Sequence, residues 1–283
     1  MTGAPAADPR RSVLAVLGAA VLFGTTGTVQ ALAPAGANPL SIGAARLFLG
    51  GTLLALIGAA RYLRRAGLTL PRPSTTAWWV LLGAGCVMAY QATFFAGTRS
   101  NGVAVGTVVA LGSSPLFAGL FEWLGFRRPP ALRWWLATGL AILGIGLLTG
   151  LAGSGPVRPI GLLASLGAGA AYAGYTVATK AVLLRGWGAT STVTAMLGGG
   201  AVLAALVLLG TDNSWTAGPA GLGVVAWLGV VTVVVTYLLL GQGLRGLSAA
   251  TATTLTLAEP ATASLLVLAL LLALAVVYAL FTW

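Results

Sequence analysis

The sequence predicts an all-α polytopic membrane protein made of two inverted five-helix repeats. Three observations support this prediction. Of the 283 residues, 58% are hydrophobic and 7% are charged, whereas soluble domains carry about 25% charged residues. The basic residues lie in alternate loops, and short sequence matches relate the two halves of the chain in the same order. A chain this apolar excludes a water-soluble enzyme and has room for nine to ten transmembrane helices of about 20 residues.

Nine apolar runs separated by short loops are the candidate transmembrane helices. They cover residues 13–32, 39–60, 77–97, 103–123, 133–152, 159–179, 189–209, 220–242 and 248–268. The residues after 268 remain apolar and show no loop. We therefore expect a long ninth helix, or a ninth helix with a partial tenth, so that the last helix is truncated or fused to its neighbour.

The net charge of +11 follows from the topology of the chain. If successive spans alternate in direction, twelve of the 15 basic residues fall on one side, Arg99 and Arg158 fall on the other, and Arg46 lies within a span. Because loops rich in lysine and arginine stay in the cytoplasm, we predict a cytoplasmic N-terminus in the inner (cytoplasmic) membrane. This distribution argues against a nucleic-acid partner. The start of the chain could instead be a cleaved signal peptide, but its loss would break the repeat described next.

Two sequence matches relate the halves of the chain. LAVLGAAVLFGTTGTV from Leu14 resembles LASLGAGAAYAGYTVA from Leu163, and SSPLFAGLF at 113–121 aligns with AEPATASLL at 258–266. The two shifts, 149 and 145 residues, are nearly equal. They divide the chain into a first repeat, 1–152, and a second repeat, 157–283. Five spans per repeat put the copies in opposite directions, a design typical of transporters whose site lies near the membrane midplane.

These features resemble the drug/metabolite transporter superfamily, specifically its EamA-type members, over nearly the whole chain. The matching motifs are LFG at 22–24, PLSIGAARLFLGG at 39–51, Pro115 followed by Leu124 and Gly125, and the pair Glu259–Pro260. The resemblance implies ten spans, cytoplasmic termini, a central cavity and export of amino acids or other small metabolites. Sister families carry nucleotide sugars or organic phosphates. The chain departs from the family pattern at Phe126, where an acidic residue is common, and in the short stretch after Pro260.

Glu259 is the one charged residue between positions 249 and 283. A helix that enters near Ser248 places it roughly 16–18 Å deep, close to the middle of the membrane. The following Pro260 frees the carbonyl group of Thr256, a break that is tolerated where a helix lines a cavity. Glu259 is therefore a candidate ligand for a substrate ammonium group or a candidate proton carrier. Alternatively, it is neutral and only holds helices together.

Arg46 is predicted to lie at a similar depth. A guanidinium and a carboxylate could bind the two charges of an amino acid; the alternatives are an Arg46–Glu259 salt bridge, or capping of carbonyl groups near the outer interface. A polar and aromatic face on membrane helices could line a cavity or merely pack. The remaining candidate substrate-binding residues are Tyr90, Gln91, Phe94, Ser114, Tyr172, Tyr175, Thr176 and Tyr237, with Pro115 and Pro260 as helix breaks.

These patterns predict a transporter, not an enzyme, that exports small organic solutes such as amino acids by alternating access at a midplane cavity. With no histidine and one cysteine, Cys86, no metal or other cofactor is expected. The alternatives are a lipid-modifying membrane enzyme, which four scattered acids argue against, a non-transporting scaffold, and a transporter of nucleotide sugars or drug cations. The expected partners are the solute, the lipid bilayer and a coupled proton. The sequence leaves both a monomer and a homodimer open.

Overall fold

The computed structural model describes residues 8–64, 75–127, 129–148, 157–266 and 268, and these residues contain helices and no strands. The helices are α1 (Pro9–Ala31), α2 (Pro39–Arg64), α3 (Thr76–Gly102), α4 (Val105–Phe126), α5 (Leu132–Leu148), α6 (Pro159–Leu184), α7 (Ala189–Leu209), α8 (Pro219–Gly246) and α9 (Ala249–Leu255). A 3-10 turn, Thr256–Ala258, leads from α9 into a further helical stretch, 259–266.

The prediction of an all-helical, multi-pass membrane protein is confirmed. Within the described part of the chain, seven helices (α1 to α4 and α6 to α8) are long and apolar enough to cross a membrane. Large apolar side chains also point outward, with Leu147 84% and Leu209 85% exposed, which suits contact with lipid. The total of nine to ten helices stays a prediction, because residues 269–283, where a partial tenth was expected, lie outside the described residues.

Local sequence explains where several helices begin. Proline opens α1, α2, α6 and α8, the position where its missing N–H group costs least. The Asp8 side chain accepts a hydrogen bond from Arg10 N at 2.9 Å and caps α1. The Ser248 hydroxyl oxygen accepts one from Thr251 N at 3.0 Å and caps α9. These caps satisfy N–H groups that the first turn of a helix leaves unpaired.

Two irregular stretches shape the bundle. Gly102 (φ 81°, ψ 158°) separates α3 from α4, a conformation that glycine adopts without strain. Within α8, residues Trp227–Val235 form a π-helix, and the Thr236 hydroxyl donates to the Val231 carbonyl five residues earlier at 2.8 Å. Such π segments are frequent at functional sites, and this one ends just before Tyr237, a predicted site residue.

Glycines set equivalent helix crossings in the two halves. A Cβ atom on Gly97 of α3 would lie 3.0 Å from Ser165 N and 3.2 Å from Gly161 O of α6; one on Gly243 of α8 would lie 3.5 Å from Val16 N and 3.0 Å from Ser12 O of α1. Gly243 follows Gly97 by 146 residues, and the two α6 residues follow their α1 counterparts by 149. The two crossings are thus related by shifts within one residue of those found in the sequence, while the inverted repeat and its boundaries, 1–152 and 157–283, stay a prediction.

The core joins both halves. Leu47 of α2, Met196 and Leu197 of α7, and Leu240 and Leu244 of α8 are each at most 1% exposed and belong to one cluster. Close approach of the backbones supports this packing, since Gly51 of α2 faces Leu197 and Ala201 of α7. The first half therefore buries its apolar faces against the second half.

Candidate functional site

A cavity of about 1110 Å³ lies between α1, α2, α3, α4, α6, α8 and the helical stretch after α9. Its mouth includes exposed residues at the α1–α2 turn and the end of α3: Ala31, Asn38 and Arg99. Its deep wall includes Arg46 and Glu259. The cavity therefore opens at the end of the bundle that carries the α1–α2 and α3–α4 turns.

Arg46 is held at the cavity wall by a neutral partner. Its side chain is 8% exposed, and its Nη2 donates to Gln91 Oε1 at 3.2 Å. Gly43 provides room for this contact, because a Cβ atom there would lie 3.1 Å from Gln91 Oε1. The Arg46 Nε atom is buried without a hydrogen-bond partner in the described part of the chain. Since a guanidinium carries five N–H donors, Arg46 keeps donors for an anionic group in the cavity.

Glu259 follows the 3-10 turn and directly precedes Pro260. A Cβ atom on Gly24 of α1 would lie 2.9 Å from the Glu259 carbonyl oxygen, so only a glycine there lets α1 pass so close. The Glu259 side chain is half-buried and lines the cavity, and no described residue donates a hydrogen bond to its carboxylate. The break in the helix thus leaves the carboxylate facing open space.

Arg46 and Glu259 share the cavity without pairing. Among the described residues the one salt bridge joins Asp8 and Arg11, at 3.8 Å near the start of α1. The predicted alternative of an Arg46–Glu259 salt bridge is therefore not formed. Two opposite charges that line one cavity without a salt bridge between them can each bind a group of a solute.

Aromatic rings line much of the remaining wall. Tyr90 stacks on Phe94 with ring centroids 5.4 Å apart and an interplanar angle of 17°, and it contacts Tyr172 at 5.9 Å. Phe23 meets Tyr237 edge-on at 5.4 Å. All five rings belong to the cavity lining. Such a wall offers apolar surface and ring faces to a bound molecule.

Comparison with known proteins assigns the chain to a family. The EamA-like transporter family matches residues 10–150. The uncharacterized transporter YwfM of Bacillus subtilis (strain 168) is 42% identical over 255 residues, which cover 89% of this chain and 83% of that protein. The chain belongs to the EamA-like transporter family. It is a membrane transporter, as predicted from the sequence.

The fold of the chain also appears among solved structures. One crystal structure of a protein shares the fold with a TM-score of 0.74 at 22% sequence identity, over 91% of this chain and 87% of that one. At this identity the likeness concerns the fold alone. The helices that surround the cavity are thus arranged as in an experimentally determined protein.

Several predicted site residues of this EamA transporter lie away from the cavity lining. Gln91 sits behind Arg46. Ser114 donates to Ala110 O at 2.8 Å and Thr176 to Ala173 O at 2.9 Å, each within its own helix. Each hydroxyl group donates to a carbonyl group in the preceding turn of its own helix. A hydroxyl residue within a span therefore does not by itself indicate a cavity.

Tyr175 and Pro115 also serve packing. Tyr175 is 1% exposed and meets Tyr237 edge-on at 5.3 Å. Pro115 is buried inside α4. The sequence did not lead us to include Phe23 among the site residues, although it lines the cavity. The sequence did contain a signal for Phe23, because it aligns with the predicted site residue Tyr172 in the repeat.

Proposed function

We propose that this EamA transporter exports amino acids or related small metabolites through the cytoplasmic membrane by alternating access. The observation that carries the proposal is that Arg46 and Glu259 line one cavity without a salt bridge between them. Buried charges normally have partners, because an unpaired charge is costly to desolvate. A solute that brings a carboxylate and an ammonium group supplies both.

The cavity suits a small zwitterion with an apolar side chain. The planar guanidinium of Arg46 matches a carboxylate in two-point geometry, and the Glu259 carboxylate matches an ammonium group. Tyr90, Phe94 and Tyr172 offer an apolar wall for the side chain. The volume of about 1110 Å³ is at the upper end of small-molecule sites. Glu259 is also the candidate carrier of a coupled proton, since protonation would release its ligand.

The topology that goes with this function has the N-terminus and the α6–α7 turn in the cytoplasm and the cavity mouth outside. The twelve-to-two distribution of basic residues supports it. In a Cys86→Ala background, Ala35→Cys in the α1–α2 turn should react with an impermeant maleimide added to intact cells, and Gly188→Cys should stay protected. Both positions are exposed, so a reversed labelling pattern would refute the orientation.

Competition between three matched solutes tests the substrate class. We expect purified protein in liposomes to exchange labelled leucine. Unlabelled leucine should compete at least about tenfold better than isoamylamine, which lacks the carboxylate, or 4-methylpentanoate, which lacks the ammonium group. Equal competition by the amine would favour a drug cation, and preference for a nucleotide sugar would favour that class. Absence of exchange for every amino acid tested would overturn the proposal.

A further inference from the structure

The end of the bundle opposite the cavity mouth contains a second buried acid, Glu122. It lies near the end of α4 and is 9% exposed. Its two carboxylate oxygens accept hydrogen bonds from Ala249 N (3.2 Å) and Ala250 N (3.1 Å), the first residues of α9. A carboxylate at a helix N-terminus pairs with unpaired N–H groups and with the positive end of the helix dipole. Glu122 therefore joins α4 to α9.

Lys180, near the end of α6, holds the other side of the same turn. Its Nζ donates to Leu244 O at 2.8 Å and to Leu247 O at 2.7 Å, at the end of α8. A cation at a helix C-terminus pairs with the last carbonyl groups and with the negative end of the dipole. The α8–α9 turn is thus held by an anion from the first half and a cation from the second.

The two ends of the bundle differ in this respect. By the repeat shift of 149, Lys180 corresponds to Ala31, which lines the cavity mouth. The α3–α4 turn at the open end is joined to α6 by a neutral residue, Asn101, whose amide exchanges bonds of 3.0 and 2.8 Å with the Arg158 backbone. The charged contacts that hold a turn, those of Glu122 and Lys180, are thus found at the closed end.

We infer that Glu122 and Lys180 form the inner gate of the transporter. They hold the α8–α9 turn in place until the cavity opens to the cytoplasm. The inference rests on the alternating-access part of the proposed function. Leu240 of α8 follows the cavity residue Phe94 by 146 residues and is fully buried here. When the gate opens, Leu240 lines the inward path as Phe94 lines the outward one.

Cysteine accessibility in inside-out vesicles tests the gate. The background is Cys86→Ala, with Leu240→Cys as the reporter of the inner path and Thr98→Cys as the reporter of the outer cavity. Each reporter is combined with Glu122→Gln, with Lys180→Met, or with the matched control Arg185→Met. Arg185 is a cation at the same end of α6 whose Nη1 bonds Ala181 O of its own helix, so its loss spares the α8–α9 turn.

Both gate variants should raise the rate at which an impermeant maleimide labels position 240 from the cytoplasmic side by about tenfold, since each removes hydrogen bonds to a charged group. In intact cells, labelling of position 98 from the outer side should persist, which shows that the fold is intact. Unchanged protection of position 240 in both variants, or an equal rise in Arg185→Met, would overturn the gate. The labelling needs no solute, so it fails or succeeds independently of the exchange assay.

Discussion

The closed end of the helix bundle and the wall of the cavity use buried charge in opposite ways. At the closed end, Glu122 accepts two backbone N–H groups and Lys180 donates to two carbonyl groups. At the cavity, Glu259 has no described donor and Arg46 is held by one neutral amide. Both arrangements lie in an apolar protein where an unpaired charge is costly. The contrast separates acids and bases that hold the helices from those that remain available to a solute.

The largest expected effect distinguishes the two acids. Glu259→Gln keeps the size of the side chain but removes the charge, so solute exchange should fall about 10- to 100-fold through loss of one charge-assisted hydrogen bond. Solute-induced thermal stabilisation of the purified protein should fall with it. Glu122→Gln is the matched control and should keep that stabilisation. Wild-type exchange by Glu259→Gln would leave Glu259 as a packing residue.

A smaller effect on transport is expected from substitution of Arg46. Arg46→Lys keeps the positive charge but loses the planar fork and the geometry of the bond to Gln91. We expect the KM for an amino acid to rise about tenfold while the maximal rate changes less, since lysine cannot bind a carboxylate in two-point geometry. Arg158→Lys, outside the cavity lining, serves as the control. An unchanged KM would mean that the carboxylate of the solute is bound elsewhere.

The smallest effect on transport should come from the helix crossings, which act on stability. Gly97→Ala and Gly243→Ala each bring a methyl group into the neighbouring helix and should destabilise the protein by about 1–3 kcal/mol through overpacking. Gly85 of α3 has open space around its Cβ position, so Gly85→Ala is the control. Thermal unfolding in detergent measures all three. A much larger loss for one crossing than for the other would argue against their equivalence.

The sequence was informative about spans because long apolar runs with short loops leave few alternatives. The predicted run 189–209 coincides with α7, and the run 159–179 begins where α6 begins. The depth of Glu259 and Arg46 followed from counting residues along a helix. The structure then placed both at one cavity.

The remaining features of the site depended on how each helix is rotated about its axis and on contacts between residues that are distant in sequence. Membrane helices are apolar all round, so periodicity did not indicate whether Ser114 or Thr176 faced a cavity or a neighbour. The role of Glu122 was invisible because its partners, Ala249 and Ala250, are separated from it by 127 and 128 residues. A pairing of this kind appears only when the helices are assembled.

The separation of 127 residues between Glu122 and Ala249 also sets the order in which the two are synthesised. At about 5–20 residues per second, the ribosome reaches Ala249 roughly 6 to 25 s after Glu122. Only then does the N–H group exist from which the carboxylate accepts a hydrogen bond. Throughout this interval α4 exists without α9, and the Glu122 carboxylate lacks these two hydrogen bonds. The closed end of the bundle consequently acquires these two contacts only after the chain of α1 to α8 has been synthesised.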